Sequence, residues 1–333
     1  MKKFLLGTVT ALTMVGALAA TTLSAAAQTT LRVTLQLPLK HHLGQNILEF
    51  KKEVEEKSGG DLKIEIFPSA QLYKDKEVPQ AVSSGAVEMG IASLTRFAGT
   101  VPAVDIFYVP FMFDSPSKVK AATAPGSAIR QGLDGAILKT GARILWWQAF
   151  GSAIVLSKNP AIKSPADMKG KKVRVFGKTI GDTVTALGGA PTLMSGSKQF
   201  LAYQRGTVDA GMTGITAVKS RKLYEVMDNL TLTRHADIEF VVVINEKIWQ
   251  GLSDKNKAII NTAALRVEKE LREKMSTIEA VALEEVSSKI TVFDLTREER
   301  AEWKAATKPV VDAYIKRSGD VGAAMVKAAG ELK

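Results

Sequence analysis

The side chains able to do chemistry are few in this chain of 333 residues, which contains no cysteine. Its three histidines are His41, His42 and His235. Neighbouring residues project in different directions from a strand or a helix, so His41 and His42 form a poor chelating pair. No HExxH accompanies them, and without cysteine there is neither a thiolate zinc site nor a thiol nucleophile. A GxSxG elbow and a GxGxxG fingerprint are both absent. Gly177-Lys178-Thr179 ends like a phosphate loop, but Lys172 stands where such a loop needs its first glycine. Carboxylates are plentiful on helical faces, and their spacing selects no acid–base pair. These patterns predict no catalytic residue, no metal ligand and no cofactor.

Binding chemistry is better represented. Lys169-Gly170-Lys171-Lys172 is a basic cluster without interleaved aromatics, which reads as a solvated turn rather than a nucleic-acid contact. Trp146-Trp147 and Phe150 lie at a strand end, where aromatics serve either a core or a ligand wall. Arg174 stands out. In Lys172-Val173-Arg174-Val175 the valines take one face and the arginine the other, at the carboxyl end of a strand. Ligands of open α/β sheets bind beyond such ends. A guanidinium there can grip a carboxylate through two parallel hydrogen bonds, whereas lysine cannot. By spacing alone, a surface salt bridge is the better reading of Arg174.

Elements must position these residues, and composition bounds them. With 46% hydrophobic and 24% charged residues, the chain is globular and long enough for two domains. The net charge of +11 is spread among interleaved acids, as on a solvated surface. Lys2 and Lys3, an apolar run from Phe4 to about Ala20, and Ala25 and Ala27 in an A-x-A pattern predict a signal peptide over residues 1–27, cleaved near Ala27-Gln28. A membrane anchor is the alternative. No later apolar run reaches span length, so the mature chain is expected not to be membrane-embedded.

Leu31–Leu37 alternates like a strand, and Ile47, Phe50 and Val54 mark a helix over residues 44–57. Strand Leu62–Phe67, a helix over 77–84 and strand Val87–Ala92 complete a β-α-β-α-β order, hence a mainly parallel sheet flanked by helices. A second set begins near Ala142, with strands Arg143–Trp147, Ile154–Ser157, Lys172–Val175 and Val208–Met212, and a helix over Gly181–Leu187. From the Ser253 cap, apolar residues recur at helical spacing through Val286, without Gly or Pro. One helix of about 50 Å at about 1.5 Å per residue follows. It is long enough to bridge two domains; a coiled coil is the alternative. Ile290–Phe293 is a short strand, and Thr296-Arg297-Glu298-Glu299 opens a final helix through Trp303 and Val310.

Several motifs occur in a characteristic order: Ser58-Gly59-Gly60, Phe67-Pro68 with Gln71-Leu72, Gly85-Ala86-Val87-Glu88-Met89, Pro110-Phe111, Ser164 through Val175, Gly206-Thr207-Val208-Asp209, Tyr224-Glu225-Val226, and Thr231-Leu232-Thr233 with His235. Together they resemble the substrate-binding proteins of tripartite ATP-independent periplasmic (TRAP) transporters, the family typified by C4-dicarboxylate binders (DctP-like). The resemblance implies two α/β domains with a ligand cleft between them. Domain I would be residues 28–150 with 240–278, and domain II residues 151–239 with 279–333. It implies a periplasmic location, hinge closure, no catalysis, and delivery of a small organic acid to an integral-membrane permease. Arg174 matches the family's carboxylate-binding arginine. Gln36, Ser93, Arg96, Trp147, Phe150, Thr213 and Phe240 match other cleft positions.

Departures narrow the ligand. Many relatives carry a second arginine where this chain has Ile154, an asparagine at Thr213 and an aromatic at Gly196-Ser197; Tyr73 replaces a glycine. A second ligand carboxylate opposite Ile154 would cost several kcal/mol to bury without another cation. A monocarboxylate such as a 2-oxo or 2-hydroxy acid is expected. The alternatives are an aromatic acid or other anion carried for another importer or a sensor, and, further off, an exported hydrolase.

Overall fold

The computed structural model describes residues 28–332; the expected signal peptide lies outside the described residues. The described residues begin with β1 (Thr29–Leu35), α1 (His42–Ser58), β2 (Leu62–Phe67), α2 (Val78–Ser83) and β3 (Met89–Ser93). Gly59 ends α1 at φ 65°, a left-handed conformation that glycine adopts without strain. β2, β1 and β3 run parallel side by side. A 3₁₀ segment (Pro102–Tyr108), α3 (Pro116–Thr123) and α4 (Ala128–Leu138) then lead into β4 (Ala142–Ser157).

β4 is one strand where the sequence predicts two. Its first part pairs with the antiparallel β9 (Asp237–Asn245), and its last five residues pair with β7 (Ala210–Gly214) and β8 (Asn229–Leu232). The register shifts beside Gly151, whose φ of 105° accommodates the irregularity without ending the strand. The first sheet therefore runs β2-β1-β3-β9-β4. In the second, β7 is flanked by β4 and by β5 (Lys172–Val175), and β5 by β6 (Ala190–Leu193). Between these strands lie α5 (Lys178–Ala186), α6 (Gln199–Gln204) and α7 (Ile215–Ser220). The architecture is α/β, mainly parallel, with helices on the sheet faces.

After β9 and α8 (Glu246–Gly251), α9 (Asp254–Ser287) forms a single 34-residue helix capped by the Ser253 hydroxyl. It bridges, as its length suggests. Near its middle, the Val267 carbonyl accepts from Asn46 of α1 at 2.7 Å. At its far end, Ala282 and Val286 join the smaller apolar core with Leu156, Tyr203 and Leu230. Its apolar stripe is thus used within the chain. β10 (Thr291–Asp294) pairs with β8. The expected final helix is broken at Pro309, which cannot continue the hydrogen-bond ladder and starts a new helix instead, giving α10 (Arg297–Ala306) and α11 (Pro309–Glu331), the latter kinked again at Gly319 with φ 62°. α11 packs on both the 102–108 segment and α5; the Tyr314 hydroxyl donates to the Ala103 carbonyl at 2.9 Å, and Arg317 pairs with Asp182 at 2.7 Å. No helix among the described residues is long and apolar enough to cross a membrane.

Candidate functional site

Alternation along β5 sends Val173 and Val175 into the larger core and Arg174 to the opposite face. Arg174 lies across from Gly211 on β7, and Thr213, two residues on, lies across from Ile154 on β4. These four positions share one sheet face. Tyr203 from α6 covers it; a Cβ at position 211 would stand 1.8 Å from the Tyr203 hydroxyl oxygen, so glycine is required for that approach. Ile154 is packed with Tyr203 in the smaller core.

Arg174 is only 3% exposed. Nη1 donates to the Met212 carbonyl at 2.7 Å and Nη2 to the Met194 carbonyl at 3.0 Å, while Nε is buried without a partner. Main-chain oxygens thus hold the guanidinium and leave a donor edge unused. Burial pushes Arg174 down to about 9, with Arg96 and Arg221 adding repulsion; it remains a cation at neutral pH. Arg96, just after β3, donates from Nε to Asp75 Oδ2 at 2.8 Å and reaches the same Met194 carbonyl at 3.5 Å.

Gln36 and Ser93 lie at the carboxyl ends of the adjacent parallel strands β1 and β3, where such sheets place ligands. Gln36 Oε1 is buried without a partner, and Ser93 Oγ lies 3.1 Å from the Tyr108 hydroxyl, which donates to the Glu239 carbonyl. Phe240 is the cross-strand neighbour of Ser93 and stacks on Phe150 at 4.9 Å. Trp147 is turned to different partners. Its indole donates to Asp134 at 2.8 Å, its amide donates to Glu268, and its ring meets Phe107 edge-on. All of these are contacts with α4, α9 and the 102–108 segment.

Spacing does not single out Asp75, Ser195, Gln199, Tyr203 or the half-buried Arg221, yet each has a buried polar side-chain atom lacking a partner. Buried polar groups are ordinarily satisfied, so this concentration of orphans beside Arg174 is unusual. A groove of about 660 Å³ between the start of α1, the end of α7 and α9 includes none of the eight positions expected from sequence.

The histidines are closer than expected. His41 caps α1 from outside the helix, its Nδ1 accepting from the Leu43 amide, and this folds its ring to 4.1 Å from that of His42. His41 lies 3.2 Å from Thr216, and His42 donates to the Ala149 carbonyl. No cluster of three or more metal-ligating side chains occurs among the described residues. The Gly177-Lys178-Thr179 turn starts α5, where the Thr179 amide and hydroxyl already donate to Asp105.

Burial pushes His42 and His235 each down to about 4. Unfolded, they take up protons near 6.5, so between about 4 and 6.5 these two groups bind more protons in the unfolded chain and their contribution to stability falls as pH drops through that window. Thermal unfolding temperature is expected to fall from pH 7 to pH 4.5, and His42→Gln to flatten that slope. An unchanged slope in the variant would remove His42 from the account.

Arg174, Arg96 and Arg221 thus approach the Met194–Gly196 segment from three different elements. A family model described as "Bacterial extracellular solute-binding protein, family 7" (DctP) matches residues 35–317. The C4-dicarboxylate-binding periplasmic protein DctP of Rhodobacter capsulatus is 29% identical over 297 residues, covering 86% of each chain. Two solved TRAP periplasmic solute-binding proteins superpose closely. One, from Polaromonas sp. JS666 and bound to D-erythronate, has TM-score 0.85 at 25% identity, covering 92% of this chain and 99% of the other. The other, from Bordetella bronchispeptica with ligand density assigned to pantoate, has TM-score 0.84 at 26% identity, covering 92% and 100%.

Proposed function

Because the chain belongs to family 7 of the bacterial extracellular solute-binding proteins, we propose that it captures a small organic monocarboxylate, a 2-hydroxy or 2-oxo acid, and delivers it to a TRAP membrane permease. Its relatives are binding proteins, and this chain is a solute-binding protein rather than an enzyme. One observation carries the ligand reading: Arg174 is buried, held from two sides by backbone carbonyls, with Nε unpartnered. A carboxylate on that edge gains charge-assisted hydrogen bonds and compensates a cation that is costly to bury alone. D-Erythronate and pantoate, the ligands assigned in the two solved relatives, each carry one carboxylate and hydroxyl groups. The Rhodobacter relative's dicarboxylate is the rival class.

Two lobes would close on the ligand, divided as expected from sequence into 28–150 with 240–278 and 151–239 with 279–333. The bend at Gly151 lies at that division. The working form would be periplasmic, cleaved near Ala27-Gln28.

A thermal-shift screen of the mature protein against mono- and dicarboxylates, aliphatic and aromatic, tests the proposal. A ligand at about 100 times its Kd stabilises by about 2.7 kcal/mol. Stabilisation by a class of aliphatic monocarboxylates is the expected result. Response only to dicarboxylates or aromatic acids would replace the ligand class, and silence across all acids would remove the Arg174 clamp.

A further inference from the structure

We propose that Arg221 is a specificity-determining residue of this cleft and that, together with Asp75, it recognises a hydroxyl group on the bound acid. The inference rests on the reading of Arg174 as the carboxylate clamp and adds what the rest of the site selects.

Three guanidinium groups surround the short segment Met194-Ser195-Gly196. Arg174 and Arg96 both point to the Met194 carbonyl, at 3.0 and 3.5 Å. Arg221, which follows α7, lies flat against Gly196: a Cβ there would stand 2.6–2.9 Å from its guanidinium atoms. Glycine at 196 is thus the condition for Arg221 to enter. Ile154 on β4, where the resemblance implies a second arginine, is apolar and packs with Tyr203, so the further cation comes from the end of α7 instead. Arg221 Nη1 donates to Gln199 Oε1 at 3.2 Å, and Nη2 is buried without a partner.

Asp75 is tied to the same segment through Arg96, whose Nε takes its Oδ2 and whose Nη2 reaches the Met194 carbonyl, while its Oδ1 is buried and unpartnered. The site therefore presents an unused donor, Arg221 Nη2, and an unused acceptor, Asp75 Oδ1. A hydroxyl satisfies both, accepting from one and donating to the other. A keto oxygen or a carboxylate only accepts, so it leaves Oδ1 unsatisfied, and a carboxylate also repels it. A methylene satisfies neither.

Titration calorimetry on the mature chain tests this with matched acids of three to six carbons: unsubstituted, 2-oxo, mono- and polyhydroxylated, and dicarboxylic. Wild type is expected to prefer a hydroxylated acid over its unsubstituted match by about tenfold or more, since a site built to hydrogen-bond a hydroxyl rejects analogues lacking it. Arg221→Gln should weaken the hydroxylated acid by about tenfold to a hundredfold and leave the unsubstituted acid within about threefold. Gly196→Ala, which displaces the guanidinium without removing its charge, should erode the same preference. Ligand-free melting curves would show whether each variant is folded.

A preference that persists in folded Arg221→Gln overturns the role of Arg221. A wild type that binds a dicarboxylate most tightly overturns the hydroxyl reading. Acid binding that is insensitive to Arg174→Ala, or no acid binding at all, overturns the clamp itself and with it the basis of this inference.

Discussion

Arg174→Ala is expected to weaken binding of the cognate acid by about 2–5 kcal/mol, the cost of leaving a desolvated carboxylate without its charge-assisted partner. Of the three neighbouring arginines, Arg174 is the one that two backbone carbonyls fix in place. Arg96 is committed to Asp75 through Nε, and Arg221 is held against Gly196 from a different element. Arg174→Lys should lose most of the same affinity, because an ammonium cannot hold the Met212 and Met194 carbonyls and still offer a planar donor edge. Ligand-free stability should change less than affinity, since removing an incompletely paired buried cation offsets the two lost backbone hydrogen bonds. Calorimetry showing less than about a threefold change in Arg174→Ala would end the assignment. Full affinity in Arg174→Lys would reduce the clamp to simple charge attraction.

The largest effect on folding is expected at Glu268. This carboxylate, buried on α9, receives two hydrogen bonds from Arg130 of α4 and one from the Trp147 amide of β4 at 3.1 Å. It therefore ties the long helix to both α4 and the strand that crosses between the sheets. Glu268→Ala would leave the Arg130 guanidinium buried with only the Thr123 carbonyl and the partly exposed Asp134 as partners. Breaking one half of a buried pair costs about 3–5 kcal/mol, whereas replacing both halves with apolar side chains of similar size can be near neutral. Urea unfolding of Glu268→Ala and of the double variant Arg130→Met/Glu268→Leu separates the two cases. A loss under about 1 kcal/mol in the single variant would mean that solvent screens the pair as on a surface.

Much of the frame is legible in the sequence because its signals are local. Apolar spacing from Ser253 onward outlines α9, and the Val173-Arg174-Val175 alternation places Arg174 away from the core, whatever packs around it. The C-terminal helices depart from the expectation at one point: the Thr296 capping box marks the start of α10, but apolar spacing runs on through Val310 and hides the break at Pro309.

What depends on partners distant in sequence is not legible there. β4 reads as two strands because its neighbours change from β9 to β7 and β8 beside Gly151, and no local pattern reports a change of partner. Trp147 matches a cleft position by sequence, but its partners lie on α4 and α9, 13 and 121 residues away. Arg221 follows a six-residue helix, a surface position by any local rule. Only the fold brings it to Gly196, beside the segment that Arg174 and Arg96 already share, and leaves Asp75 Oδ1 unpaired nearby. Sequence alone determined the long helix α9, the parallel strands and helices at the start of the chain, and that an arginine would stand at a strand's carboxyl end. The tertiary structure decided how many cations gather around Met194–Gly196, because charge is summed over space and not along the chain.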